Sequence, residues 1–474
     1  MHFSLPDTQE ITDEVSKTSY HVYNIHINGV FHCMLRYSQL YDLNEKLRLE
    51  YGSNVIPAFP PKKFFSLSES DIEERRKKLE EYIQEIGQNP VLCDSSVLSS
   101  FLQMAQQETR LEETVPVSID IYFANRDKVS IDIDSTDQTE DILENLMSLI
   151  GLSEDFVYYF GLFLMRIDDD GTWSFVRILQ DFESPYISLK CLKNRPLYKI
   201  LVHTLYWDHA LDKVLCSDNV GLNLLFLQTQ HDIFRNWIET SEKVRNKLNL
   251  KANKNLRLDY IHLSQSQKNY GFLKFNSCKV SCLSVEGEGI VALGNFEFKL
   301  HILDDDGNNI KLEKSFPVTK IRSWRVASPE NTALLKDSDQ PLLQLGLEVL
   351  IKKGKLVWIL IYSDQAIMMS MCIKSMVSEL LRKRNNEPMK KPSDRSKRKR
   401  YAFKARDKFT ESLFIKNINA PQPPPPNKST SYNSLTSDFS EPSCSIDSLS
   451  INSDINSIHS DNFTFINGIG DDDL

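Results

Sequence analysis

The sequence predicts an α+β multidomain chain that ends in a disordered tail, and three observations carry that prediction. First, 474 residues, at roughly 150 per domain, suggest about three globular units plus extras. Second, apolar residues alternate with period two near 17–35 and again near 117–133, and helical spacing follows each block. Third, the composition changes at about residue 385, where a basic block, a proline run and a Ser/Asn/Asp-rich stretch replace the periodic pattern.

Composition narrows the function classes. Hydrophobic residues make up 41% and charged residues 26%, ordinary for globular proteins. A net charge of −9 argues against a chain that coats nucleic acid, so no nucleic-acid partner is expected. No apolar run approaches the ~20 residues needed to cross a bilayer. The opening MHFSLPDTQEITDE is acidic and lacks an apolar core, so it does not read as a secretory signal. Eight scattered cysteines show no zinc spacing and read as reduced, mostly buried thiols; no metal or other cofactor is expected.

The elements follow in order. Val22, Tyr23, Ile25, Ile27 and Val30 flank Asn28-Gly29, a strong hairpin signal. Leu40, Leu43, Leu47 and Tyr51 give 36–52 a helical face, and prolines exclude regular structure at 57–61. Helices are expected at 69–88 (Ile72, Leu79, Ile83, Ile86) and 96–107. A second hairpin turns at Asn125-Arg126-Asp127 between Val117/Ile119/Ile121 and Val129/Ile131/Ile133, and Asp137 with Glu140 is expected to cap the next helix. Hairpin, helix, then strands is a ubiquitin-like order. Residues 219–266 read as wholly helical and 270–362 as strands, with charged turns at 304–309 and 352–355. An amphipathic helix from about Ser363 closes that β-run, which suits a pleckstrin-homology or phosphotyrosine-binding (PTB) type of unit.

Three blocks then point to chemistry. Arg36-Tyr37-Ser38, Ile56-Pro57-Ala58-Phe59-Pro60-Pro61-Lys62 and Arg75 in ERRKKLEEYI come from a strand end, a proline loop and a helix. Together they make a cage for phosphate dianions, to which the guanidinium fork is suited. These blocks resemble the signature of the PX phosphoinositide-binding domain. The resemblance implies that Arg36 holds a 3-phosphate, Tyr37 stacks on the inositol ring, Lys62 holds the 1-phosphate and Arg75 the ring hydroxyls, with Ser38 in the same block. Phe64 and Phe65 fit either the bilayer interface or the core. Farther on, YFGLFL (159–164), VGLNLLFLQ (220–228) and YGFLKF (270–275) resemble segments of the three FERM lobes, in order.

PX followed by FERM resembles the endosomal PX–FERM sorting nexins, over roughly residues 1–385 and the last 14; residues 365–370 and the terminal GIGDDDL add to that likeness. The expected division is 1–109 PX, 113–206 ubiquitin-like lobe, 207–268 helical lobe, 269–386 PTB/PH-like lobe, 387–460 disordered linker and 461–474 docking peptide. The resemblance implies an endosomal cargo adaptor, cytoplasmic and peripheral on early and recycling endosomes. Its implied partners are phosphatidylinositol 3-phosphate, Asn-Pro-x-Tyr or Asn-x-x-Tyr receptor tails of the LDL-receptor and integrin type, and a retriever/Commander-type recycling complex. Cargo would add a strand to an open sheet edge at 318–326, with Trp324 as anchor, Val326 beside it, and Met376 and Val377 flooring the pocket. Core packing is the competing reading for each of these four. Gly468, Ile469, Gly470, Asp471, Asp472, Asp473 and Leu474 would dock the recycling complex.

Asn462, Phe463 and Phe465 form an Asn-x-x-Phe sequence in the chain's own tail. A tether of about 80 flexible residues would let it occupy the cargo groove at up to roughly millimolar effective concentration. The basic KRKR (397–400) fits a nuclear import signal, an anionic-membrane contact or plain solvation. No GxSxG, P-loop, HExxH or kinase set is present, so an enzyme is not expected. The alternative is a phosphoinositide-anchored scaffold for small GTPases or the cytoskeleton. The first-lobe edge offers only Arg126 and Lys128, so any GTPase binding there would be weak or secondary. No oligomerisation helix is evident, which suggests a monomer.

Overall fold

The computed structural model describes residues 1–12, 19–63, 68–110, 113–304, 310–328, 342–352, 354–394 and the strand Thr464–Asn467. None of the helices among them is long and apolar enough to cross a membrane.

In the first unit the strand Ser19–Ile27 turns into Val30–Arg36. Asn28 and Gly29 adopt φ 51° and 81°, the two left-handed residues that a type I′ hairpin needs. Phe3–Ser4 and Thr8–Thr12 pair with the same long strand. The helices Tyr37–Tyr51, Glu69–Gln88 and Ser96–Arg110 bury Leu40, Leu43, Leu47, Leu79, Ile83, Ile86, Leu98 and Leu102 in this unit. Ser68 and Asp71 exchange side-chain and backbone hydrogen bonds as a capping box at the start of the long helix.

The second unit is a sheet in the order Lys128–Asp134, Pro116–Tyr122, Tyr198–Thr204, Phe160–Ile167, Trp173–Ile178, with the helix Thr139–Leu149 packed into it. The strands Pro116–Tyr122 and Tyr198–Thr204 run parallel and the other pairs antiparallel, the ubiquitin-like order. The expected Asp137 cap is not made. Gln138 takes the cap position, and Asp137 accepts the amide of Asp134 (3.0 Å) instead, closing the preceding turn. The stretch 219–266 is three helices, Asn219–Phe234, Glu242–Asn253 and Arg257–Gln265. It breaks where Asn236 and Asn255 turn left-handed, φ 57° and 56°, a conformation asparagine tolerates at helix ends.

The last unit is an antiparallel sheet whose strands run, side by side, Ile310–Pro317, Glu297–Leu303, Val285–Gly294, Cys278–Cys282, Lys355–Ser363, Leu343–Lys352 and Ile321–Ala327. The helix Ala366–Arg384 closes it. Its core is continuous with one face of the second unit, because Phe163, Phe175, Leu201 and Trp207 share a cluster with Trp324, Met368 and Ile373. Cys33, Cys278, Cys282 and Cys372 are buried free thiols, and burial pushes Cys278 up to about 12.

The first unit docks on the second through a buried polar network. Gln106 accepts the Ser184 amide (2.8 Å) and donates to Ser188 Oγ (3.1 Å), which donates to Glu183 (2.7 Å). Glu183 is chelated by Arg177 at 2.5 and 2.7 Å, with both side chains buried. Burial alone would raise the Glu183 carboxyl, but Arg177 and its neighbours hold it below its ordinary value. His32 donates from Nε2 to the Leu102 carbonyl (3.0 Å) and packs edge-on against Phe182.

Beyond the closing helix, Met389 packs on the core shared by the ubiquitin-like unit and the helical stretch 219–266, and Lys391 Nζ lies 2.7 Å from Asp155. The remaining linker, the KRKR block, Phe64, Phe65, Asn462, Phe463 and the terminal 468–474 lie outside the described residues.

Two outcomes follow for stability. Glu183→Ala strands the buried Arg177 cation and is expected to cost about 3–5 kcal/mol, read from denaturant midpoints. Burial holds His32 and His203 at about 4 in the folded protein, below the ordinary 6.5. Each therefore favours the native state when neutral. Their contribution is complete above about pH 6.5 and is lost as pH falls toward about 4, so the melting temperature should drop across that window.

Candidate functional site

The first site is built around the Tyr37 ring. Arg36 ends its strand opposite Val22 and starts the helix Tyr37–Tyr51. Tyr37 donates its hydroxyl to the Pro60 carbonyl at 2.7 Å, tying the helix start to the proline loop. Phe59 packs against it, tilted at 5.4 Å from Tyr37 and edge-on to Tyr82 at 4.8 Å. The Arg75 guanidinium lies 4.7 Å over Tyr37 and touches Tyr23, whose hydroxyl burial raises while Arg75 opposes the rise. Arg75 Nε is buried without a hydrogen-bond partner among the described residues, a donor left over for an anion. Lys62 is exposed two residues past Pro60, and Ser38 is exposed beside Tyr37. Tyr37, Arg75 and the loop that carries Lys62 thus meet, with Arg36 next to Tyr37 in the chain.

Sequence reasoning missed two parts of this site. Tyr20 lies under Arg36, 3.3 Å from ring centre to guanidinium carbon. Its place near the end of an alternating strand that pairs with Val30–Arg36 was a usable signal. Arg76, adjacent to Arg75, turns inward and pairs with Glu73 (2.6 Å) and Glu80 (3.2 Å). Lys63 is engaged by Asp71 and Glu74 on the same helix. Only one arginine of the ERRKK block therefore faces the pocket.

The second site is the sheet edge Ile321–Ala327. Thr464–Asn467 pairs antiparallel with it, with Ser323, Trp324, Arg325 and Val326 opposite Asn467, Ile466, Phe465 and Thr464. Of the three residues expected as a self-ligand, Phe465 lies in this strand. Trp324, expected to anchor cargo with core packing as the competing reading, lies in the core. With the tail strand in place Trp324 is 1% exposed, and its Nε1 donates to Ser370 Oγ at 3.1 Å. Strand alternation sends Trp324 and Val326 to the core face, under the closing helix. Met376 is buried there as well, and Val377 is half-buried against the same cluster. The backbone of the strand, rather than the indole, is what meets the added segment.

Comparison with known proteins agrees with this order of units. The PX domain model matches residues 23–105, the sorting nexin 17/27/31 FERM F1 lobe 117–207, the sorting nexin 17/31 FERM F2 lobe 208–268 and the Sorting Nexin 17 FERM C-terminal domain 271–381. Human sorting nexin-17 is 41% identical over 397 residues, 82% of this chain and 84% of the relative. The chain belongs to the PX–FERM sorting nexins. Sorting nexin-17 of Danio rerio is 42% identical, covering 82% of this chain and 83% of its own length. Human sorting nexin-31 is 31% identical, with 88% and 94% covered.

As a PX–FERM sorting nexin the chain is an endosomal sorting adaptor that binds phosphoinositide and associates peripherally with the endosomal membrane. Among the described residues no cluster of metal-ligating side chains occurs. Loss of a guanidinium–phosphate contact costs about 1.5–3 kcal/mol. Arg36→Ala and Arg75→Ala are each expected to weaken binding to phosphoinositide vesicles about tenfold to a hundredfold, as read by co-sedimentation. Unchanged binding in both would sink this pocket.

Proposed function

We propose that this sorting nexin recognises phosphatidylinositol 3-phosphate with Arg36, Tyr37, Lys62 and Arg75, and captures Asn-Pro-x-Tyr-type receptor tails on the edge Ile321–Ala327. The extreme C-terminus, 468–474, then brings a retriever-type recycling complex that returns cargo to the cell surface. One observation carries the cargo reading: the edge accepts an extended segment, since Thr464–Asn467 is hydrogen-bonded along it. Main-chain pairing of this kind supplies affinity, and side-chain pockets supply selectivity.

The same pairing supports a competitive role for the tail. Phe465 stands opposite Arg325, so cargo and tail would compete for one strand position. Cargo arrival would release the residues just beyond the strand, including 468–474, for the recycling complex. Each contact is weak by itself, and membrane, cargo and recycling complex multiply through effective concentration.

A fluorescent Asn-Pro-x-Tyr peptide titrated into the intact chain tests this. Phe465→Ala is expected to tighten peptide binding about tenfold, and Val377→Asp to weaken it without loss of phosphoinositide binding. Equal affinity for the wild type and Phe465→Ala would remove the competing tail. No peptide binding to either would sink the cargo reading.

A further inference from the structure

The helix Glu242–Asn253 carries two stripes. Val244, Leu248 and Ala252 turn inward, with Leu248 buried and the others half-buried on the core that the helical lobe shares with the ubiquitin-like lobe. Lys243, Lys247, Leu250 and Lys254 fall at i, i+4, i+7 and i+11, and all four are exposed. That spacing places them along one outer face. Asn255, left-handed at φ 56°, reverses the chain into Arg257–Gln265, which packs on the same helix. Lys251 and Asp259 clasp the two helices at 3.1 Å. Leu250, Leu256 and Leu258 are 60%, 43% and 42% exposed at this tip.

The charge there opposes that of the whole. Residues 242–259 hold six basic side chains against Glu242 and Asp259, in a chain of net charge −9. Lys251 is answered by Asp259. Lys243, Lys247 and Lys254 pair with no carboxylate among the described residues. Exposed leucines ringed by unpaired lysines on a helix are poor design for water alone. They suit an anionic lipid surface, where lysine stems extend to headgroup phosphates and leucines reach the acyl boundary. The lobe is helical and offers a peptide no open strand edge at this tip, whereas a lipid surface needs none.

We propose that the tip formed by Lys243, Lys247, Leu250, Lys254, Leu256 and Leu258 is a second membrane contact that adsorbs to anionic phospholipid headgroups. It would act in addition to the phosphoinositide pocket, adding affinity for bilayers rich in phosphatidylserine.

The test uses the full chain and phosphatidylcholine vesicles of fixed phosphoinositide content, with or without about one-fifth phosphatidylserine. Phosphatidylserine is expected to strengthen wild-type co-sedimentation about tenfold to a hundredfold at low salt. The triple variant Lys243→Glu, Lys247→Glu, Lys254→Glu should lose that gain. Leu250→Ser, Leu256→Ser, Leu258→Ser should keep a gain at low salt but lose binding that persists at high salt. Both variants should melt at the wild-type temperature and bind serine-free phosphoinositide vesicles as the wild type does, which separates the patch from the pocket and from misfolding. A phosphatidylserine gain undiminished in the lysine variant would place the attraction elsewhere, as in the 389–408 block, and overturn the proposal. No gain in the wild type would overturn it too, and so would tighter binding of polyglutamate than of phosphatidylserine vesicles, which would assign the patch to an acidic protein partner.

Discussion

The closing helix Ala366–Arg384 is the element against which the other parts are held. Ser370 accepts the Trp324 indole N–H and fixes the helix on its own sheet. One turn and more farther on, Ser375 accepts the Trp207 indole N–H at 2.9 Å, and Glu379 accepts the Trp207 and Asp208 amides at 2.8 and 2.9 Å. Those two amides belong to the connection between the ubiquitin-like and helical lobes. At the other end Gln365 donates to the Phe175 carbonyl (2.7 Å), and Ile367 closes on the Gly29 turn of the PX hairpin. A buried carboxylate that accepts two backbone amides is expensive to remove, since its loss leaves donors unsatisfied.

This arrangement has a consequence for function. The PX unit touches the closing helix at Gly29 and the ubiquitin-like lobe at Gln106 and His32. The strand Ile321–Ala327, which pairs with the tail segment, touches the same helix through Trp324. The proposed phosphoinositide pocket and the proposed peptide edge, held by one frame, would not have to find each other on the membrane. The entropy of orienting them is spent in folding rather than at each binding event.

Asn28-Gly29 declared its hairpin because few residue pairs accept two left-handed conformations. Arg36, Tyr37 and the proline loop were legible as candidates because phosphate recognition needs few residue types. Arg75 and Arg76 were not separable by composition, since the same side chain serves an anion pocket or a buried pair with Glu80 according to which way the helix is turned. Asp137 illustrates local competition, where a carboxylate near a helix start closed the preceding turn instead.

The sequence by itself determined the element types, the order of the units, the family and the blocks proposed to bind phosphate, because periodicity and turn chemistry are local. Only the tertiary structure decided that Trp324 is buried and that the strand backbone is what pairs with the tail segment, because alternation assigns sides but not which side is covered. It also decided that Gln106, Ser188, Glu183 and Arg177 form one buried network across two units. Residues roughly eighty positions apart meet there through packing of whole elements, which no window along the chain contains.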